Sequence, residues 1–351
     1  MLITADELES RWGEFDDIVD VRSTAEWAAD RLPGAISTPV LDDAQREEIG
    51  TLHAASAFEA RRRGAALVAR NIARAVDEAF ADKPRAWRPL IYCWRGGNRS
   101  QAMATVLQRI GWRATLLKGG YAEFRRLVVR RIPELSAGLQ FTVVCGVTGS
   151  GKTVYLQQQA RQGAQVLDLE QLAHHRGSLL GSEPVGMQPS QKAFETSIWD
   201  ALRRFDPAAP ILVESESKKI GTVQLPDSLM SRMRESRCLE LMPSLDERVD
   251  FLCQDYAHFF SAPDALMRQL DRLRPLLGGR RIEAWHALIR AQEWPQLVRA
   301  LLEEHYDPTY LRSMQRNYRH YPDAQRLTRH PGLATKTNDD QRLSDLPSFS
   351  G

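Results

Sequence analysis

Leu90-Ile91-Tyr92-Cys93-Trp94-Arg95-Gly96-Gly97-Asn98-Arg99-Ser100 reads as an apolar strand that runs into a Gly-rich loop and then into a helical pattern beginning near Gln101. A short apolar run bounded by turn residues is the pattern of a buried strand in a parallel sheet. One thiol, Cys93, stands where the strand ends. The amides of a tight loop, the helix N-terminus behind it, and Arg95 and Arg99 on the loop make an anion-binding cup and favour the thiolate form of Cys93. A Cys after an apolar strand is commonly inert core, but two glycines, two arginines and a serine crowded behind it are poor core material. Cys93, Arg95 and Arg99 are therefore catalytic candidates. The residues leave open whether the thiolate handles sulfur, selenium or a phosphoryl group.

Outward from this stretch the chain alternates. Ile18-Val19-Asp20-Val21-Arg22 reads as a short buried strand, and Pro33-Gly34-Ala35 as a turn into another extended segment. From about 42 to 82 the apolar positions Leu52, Phe58, Leu67, Ile72 and Val76 fall among Ala, Glu and Arg, which predicts a helical insertion. Arg61-Arg62-Arg63 reads as a solvated helix face, with RNA contact as the second reading. Met103, Val106, Leu107 and Ile110 predict a helix, 114–117 a strand, and Gly119-Gly120-Tyr121 a turn. Strands alternating with helices predict an α/β domain with a parallel sheet over 1–135.

A second domain core is expected over 138–260. Leu139–Cys145 predicts a strand, and it is followed by Gly146-Val147-Thr148-Gly149-Ser150-Gly151-Lys152-Thr153 and a helix from Val154. Every fixed position of the P-loop pattern is present in the required strand-loop-helix context. Gly146, Gly149, Ser150, Gly151, Lys152 and Thr153 are the phosphate-binding candidates: amides and Lys152 would surround a di- or triphosphate, and the Thr153 hydroxyl could ligate Mg²⁺. Asp168 and Glu170 end a strand and could face an acceptor, though Glu170 could equally be a first-turn helix acid. Glu214 and Glu216 cap the apolar run Ile211-Leu212-Val213, where an acid near the metal would sit, and Arg176 lies in the run His175-Arg176-Gly177-Ser178.

The 351 residues exceed the usual single-domain size. Charged and apolar contents of 26% and 43% are those of an ordinary globular protein, and a formal net charge of +2 argues for no partner. The N-terminal residues lack the charged and apolar regions of a leader, and no run is long enough to span a bilayer; we expect a cytoplasmic protein without membrane contact. Cys93, Cys145, Cys238 and Cys253 are scattered without zinc or disulfide spacing.

With these motifs on the page, residues 1 to 130 resemble a rhodanese domain: Asp20-Val21-Arg22, Pro33-Gly34-Ala35, the Cys93 loop and Gly119-Gly120-Tyr121 fall in that family's order. One departure matters. Rhodaneses usually carry the loop Arg five residues after Cys, whereas Arg99 is six after Cys93, the spacing of protein tyrosine phosphatases. Tyr92 stands where a phosphatase has His, and no Asp-bearing general-acid loop is evident. The longer loop suits a tetrahedral, phosphate-like anion such as selenophosphate. Followed by the P-loop domain, with Asp168-Leu169-Glu170, His175-Arg176-Gly177-Ser178 and Glu214-Ser215-Glu216-Ser217, the chain over roughly 1–320 resembles the bacterial tRNA 2-selenouridine synthase family.

What this resemblance implies is a two-step change at the wobble 2-thiouridine of tRNA. The sulfur is first geranylated from geranyl diphosphate, then the S-geranyl group is replaced by selenium from selenophosphate. It implies tRNA, through its anticodon loop, as substrate, a selenophosphate-supplying enzyme as partner, and Mg²⁺ at the diphosphate. Lys152, the loop amides and Mg²⁺ at Thr153 would stabilise the leaving diphosphate; Cys93 would serve the selenium step. The alternative is a Cys-dependent phosphatase or sulfurtransferase fused to a P-loop small-molecule kinase.

Residues 261–322 are expected to form a helical, basic region. Between Arg268 and Arg319 ten Arg and no Lys face six acids, with Trp285, Trp294, Tyr306, Tyr310 and Tyr318 interleaved. Guanidinium groups for phosphates and rings for unpaired bases would suit an anticodon loop, and Arg312, Arg316, Tyr318 and Arg319 are the candidate RNA contacts. A helical bundle with core aromatics and solvated Arg is the competing reading. Residues 323–351 are expected to be a loosely held tail.

Overall fold

The structure, a computed structural model, describes residues 1–175, 187–255, 260 and 262–328. The chain divides into two compact units: Met1–Leu139 with Leu169–Asp206 and Ser217–Met230, and Gln140–Asp168 with Pro207–Glu216 and the chain from Ser231.

The first unit is built on β1 (Leu2–Ile3), β2 (Asp17–Asp20), β3 (Ala35–Ser37), β4 (Pro89–Tyr92) and β5 (Thr115–Leu117), in the order β1-β5-β4-β2-β3 with every neighbour parallel. Central β4 is buried at all four positions, as its apolar run requires. Phe80, Trp87, Ile91, Met103 and Leu107 pack with Val19 into one core. The helical insertion is present as two helices, Asp43–Ala55 and Ala57–Glu78, each opened by a side-chain cap from Asp42 or Ser56. Arg62 pairs with Glu59 and Arg63 with Glu48 on the exposed surface, so this Arg run is a solvated helix face. Such exposed, solvent-screened pairs contribute little to stability.

The sequence boundaries placed everything from 138 to 260 with the P-loop, but two segments of that span pack with the first unit. In the helix Gln191–Leu202 the apolar positions Phe194, Ile198, Trp199 and Leu202 form one buried stripe. Trp199 meets Phe124 edge-on with ring centroids 5.3 Å apart and lies 5.8 Å from Trp12. Arg125 completes the contact through Glu195 and the Thr196 hydroxyl. The short antiparallel strands β9 (Lys219–Ile220) and β10 (Val223–Gln224) belong to the same unit. Ring-on-ring burial at three-dimensional distance decided this, and linear spacing carries no trace of it.

The second unit contains β6 (Phe141–Cys145), β7 (Gln165–Leu167), β8 (Ile211–Glu214), β11 (Arg237–Leu241) and β12 (Gln325–Leu327), in the parallel order β12-β11-β6-β8-β7. β6 lies between β8 and β11, so the loop after it opens where chain connections leave in opposite directions. That switch point is where open α/β sheets bind ligands. The expected tail is corrected at its start. Gln325–Leu327 is the edge strand of this sheet, and Tyr321 and Arg326 both bond the Glu240 carboxylate. The remainder, 329–351, lies outside the described residues.

Residues 262–317 are helical, as Pro263–Asp271, Arg274–Leu277, Gly279–Arg290, Trp294–Leu301 and Asp307–Asn317, with a π-helical turn at Leu302–Tyr306. Here the aromatic part of the RNA reading fails at two rings. Trp285 is 1% exposed, and Tyr318 is 3% exposed with its hydroxyl donating to the Glu216 carbonyl at 2.9 Å. Neither ring can stack on a base. Arg312, Arg316 and Arg319 are exposed.

Candidate active site: a cysteine loop and a phosphate loop

Cys93 directly continues β4 and sits beneath its loop. Because both faces of β4 are covered, the thiol is only 3% exposed, deeper than a surface nucleophile. Its sulfur accepts a hydrogen bond from the Ser100 hydroxyl at 3.2 Å and lies 3.8 Å from the Gly97 carbonyl. The helix Asn98–Ile110 starts at Gly97 without a side-chain cap, leaving its first amides for an anion. Two glycines close the loop onto the helix Gly120–Gly138. A Cβ on Gly96 (φ +66°) would lie 2.9 Å from the Leu117 carbonyl, and one on Gly120 (φ +58°) 2.2 Å from the Cys93 carbonyl. The Tyr121 amide bonds that carbonyl at 2.8 Å, and the Ala122 amide bonds the Trp94 carbonyl at 2.9 Å.

The two loop arginines differ. Arg99 is held by Glu26 at 2.9 Å, and Glu26 also meets Arg46 at 3.2 Å and the Ser23 amide at 3.2 Å. Burial works to raise the Glu26 carboxyl, but the hydrogen bond and charge of Arg99, the Ser23 amide and Arg46 together hold it below its ordinary value. Arg95 is exposed and makes no ion pair among the described residues. Glu26 is a site residue the sequence reading did not assign, since 73 positions separate it from Arg99.

The phosphate loop is shaped by backbone and by distant side chains. Gly146 (φ +154°), Gly149 (φ +79°) and Gly151 (φ +75°) supply conformations L side chains avoid. A Cβ at Gly149 would stand 2.8 Å from Leu252, and one at Gly146 2.4 Å from the Ser150 hydroxyl oxygen. Lys152 Nζ donates to the Gly146 carbonyl at 2.8 Å, folding the side chain back over the loop. The helix Lys152–Arg161 begins at Gly151, again without a side-chain cap. Tyr310, grouped by sequence with the RNA contacts, instead braces this loop. Its hydroxyl accepts the Gly146 N–H at 2.8 Å and lies 2.8 Å from Ser215 Oγ, and its ring centroid is 5.5 Å from Lys152 Nζ. Burial pushes its hydroxyl above the ordinary tyrosine range, so the group stays neutral. Arg248, 5% exposed, donates to the Thr148 carbonyl at 2.8 Å and pairs with Asp307 at 2.6 Å. Neither support was legible, because Tyr310 lies 164 positions from Gly146 and Arg248 lies 100 from Thr148.

The acids are carried by different elements. Glu214, 1% exposed, ends β8 in register with Val144 of the P-loop strand, and Glu216 follows two residues on, half-buried. Asp168 is half-buried just after β7, one strand further from β6. Glu170 is the second residue of the short helix Leu169–Ala173, in the compact unit that does not hold the P-loop. Arg176 lies outside the described residues. Thr153, half-buried in the first turn of its helix, and the buried Glu214 carboxylate are the hard oxygen donors that Mg²⁺ takes. The residues present fit that ion. Cys145 is fully buried in β6 beside Cys238, whose thiol contact together with burial raises it well above the thiol range; it is packing.

A parallel-sheet domain with a Cys loop after its central strand, followed in one chain by a P-loop sheet, defines a rhodanese-like domain fused to a P-loop-like domain. Residues 4–127 match the rhodanese-like domain family, and residues 139–326 match the family described as the tRNA 2-selenouridine synthase AAA domain. The chain is 33% identical over 336 residues to the tRNA 2-selenouridine synthase of Alcanivorax borkumensis, covering 84% of this chain and 88% of that protein. It is 31% identical over 326 residues to the synthase of Marinobacter nauticus, covering 84% and 87%, and 34% identical over 262 residues to that of Nitrosomonas europaea, covering 72% and 67%. The chain belongs to the tRNA 2-selenouridine synthase family, a family of enzymes. No helix among the described residues is long and apolar enough to cross a membrane.

Proposed function

We propose that this enzyme converts the wobble 2-thiouridine of tRNA to 2-selenouridine in two steps, geranylation and then selenium exchange. The observation that carries the proposal is the presence in one family member of a complete P-loop and a Cys loop, each leading into a helix start that no side chain caps. In the first step the thiocarbonyl sulfur forms a bond to C1 of geranyl diphosphate, and the C–O bond to diphosphate breaks. Negative charge grows on the departing diphosphate, which the P-loop and Lys152 would bind. Mg²⁺, when bound at Thr153 and Glu214, would neutralise that charge further.

In the second step selenium of selenophosphate bonds to C2 of the uridine and geranylthiolate leaves with the sulfur. Water then cleaves the P–Se bond and phosphate departs. The Cys93 loop, with its amides, Arg95 and the Glu26-anchored Arg99, supports binding of the tetrahedral anion, and Ser100 donates to the Cys93 sulfur. Arg312, Arg316 and Arg319, exposed on the second unit, are assigned to tRNA phosphates.

The test follows nucleoside mass in thiolated tRNA given geranyl diphosphate and then selenophosphate. Lys152→Ala should stop the first mass change, and Cys93→Ser the second while leaving the first. Absence of both changes with wild-type protein, the substrates being proven active, removes the proposal. Turnover of an aryl phosphate or ATP in their place would favour the phosphatase and kinase alternative.

A further inference from the structure

Trp94 immediately follows Cys93 and is one of eleven large apolar side chains exposed among the described residues, at 37% exposure. Indole rings are normally kept from water, so an exposed ring on a loop of glycines and arginines calls for a reason. What lies beneath it is rigid. Its ring contacts that of Tyr121 with centroids 5.2 Å apart and planes tilted by 39°. Tyr121 is 3% exposed, and its hydroxyl donates to Asp30 at 2.8 Å. The Arg22 guanidinium lies 4.0 Å from the Tyr121 ring centroid and is itself locked to Asp20 at 2.6 Å, with both groups buried. Thr196 also donates to Asp30, at 3.1 Å. A ring that packs on a side chain fixed in this way loses less freedom when a flat partner settles on it.

Beside it, Arg95 is exposed and without an ion pair among the described residues. An exposed ring and an uncommitted guanidinium on consecutive residues are the two groups an unpaired nucleotide requires, one for its base and one for its phosphate. The sulfur lies too deep for a duplex to reach, so the reacting uridine has to arrive splayed out. We propose that Trp94 is the stacking platform that receives the extruded anticodon base above Cys93, with Arg95 on the adjoining phosphate. This rests on the tRNA reading above and adds the residue that positions the base.

The experiment measures Kd of a 2-thiouridine anticodon stem-loop for the full-length protein, and separately KM and kcat of selenium exchange on geranylated tRNA. Trp94→Ala and Trp94→Leu should both weaken the stem-loop and raise KM by about 5- to 150-fold, the loss of one stacked base, with kcat within about twofold. Trp94→Phe, which keeps a flat face, should restore binding to within about threefold of wild type. Leucine retains apolar volume, so a Leu variant as tight as wild type overturns stacking, as does a Phe variant as weak as Ala. A loss confined to geranylated RNA would assign the ring to the geranyl chain and overturn the proposal. Wild-type protein that binds the stem-loop but exchanges no selenium would remove the functional reading, while the Kd series would still judge Trp94.

Discussion

Gly120→Ala should damage the selenium step by pushing the Cys93 loop off its floor. The added Cβ would stand 2.2 Å from the Cys93 carbonyl oxygen, 2.6 Å from the Gly96 nitrogen and 3.1 Å from the Arg95 nitrogen, all main-chain atoms. Reaching a 3.0 Å separation from the carbonyl requires a shift of about 0.8 Å, taken either by the loop or by the helix start. That shift stretches the 2.8 Å hydrogen bond from the Tyr121 amide. Holding Ala at φ +58° adds about 1–2 kcal/mol, and forced overpacking about 1–3 kcal/mol. The total of about 2–5 kcal/mol corresponds to a fall in melting temperature of about 4–20 °C for a unit of this size. A displacement near 1 Å at reacting groups costs on the order of a hundredfold in rate. Differential scanning calorimetry and the mass assay read both effects, and geranyl transfer should change less than selenium exchange. Gly50→Ala is the control: it lies in an exposed helix with nothing within 4 Å of its Cβ, and should stabilise by about 0.5–1 kcal/mol. A Gly120→Ala protein that melts within a degree of wild type and exchanges selenium normally would refute the argument.

Tyr310→Phe leaves the buried Gly146 N–H without its acceptor, which should cost about 1–3 kcal/mol and impair geranyl transfer; unchanged melting and transfer would show that water replaces the hydroxyl. Glu26→Gln probes the anchor of Arg99 through pH. Because the folded-state carboxyl lies below its ordinary value of 4.5, its stabilisation is present above that pH and is lost as pH falls through the lower folded value. The wild-type melting advantage over Glu26→Gln should be largest near neutrality and shrink below pH 4.5, and a difference that does not vary with pH would contradict the assignment. Replacing Arg312, Arg316 and Arg319 together by Ala should weaken tRNA binding and flatten its salt dependence, by about 0.9 in log–log slope for each phosphate that is no longer neutralised. An unaltered slope would move the RNA interface elsewhere.

Much of the molecule was legible because local chemistry forces it. A run of Leu, Ile and Tyr ending in Cys and two glycines has few conformations other than a buried strand and tight loop, and the P-loop pattern names its own φ > 0 positions at Gly149 and Gly151. The resemblance carried further than either loop, since two motifs in fixed order specify a family where one specifies only a class. Less legible were elements whose burial depends on partners far along the chain. β11, Arg237-Cys238-Leu239-Glu240-Leu241, was not identified because Arg237 and Glu240 interrupt its apolar run. Its buried Glu240 is satisfied by Tyr321 and Arg326, more than eighty positions away.

By itself the sequence determined a parallel α/β chain with two anion-binding loops, since hydrophobic period and glycine placement act over a few residues. Tertiary structure decided which side chains serve those loops. It took Tyr318 and Trp285 into the interior, moved Tyr310 from the RNA surface to the phosphate loop, tied Arg99 to Glu26, sank Cys93 below its loop and left Trp94 facing out. Each of these depends on distances between residues tens to hundreds of positions apart, and burial and pairing at such distances follow from how the elements pack.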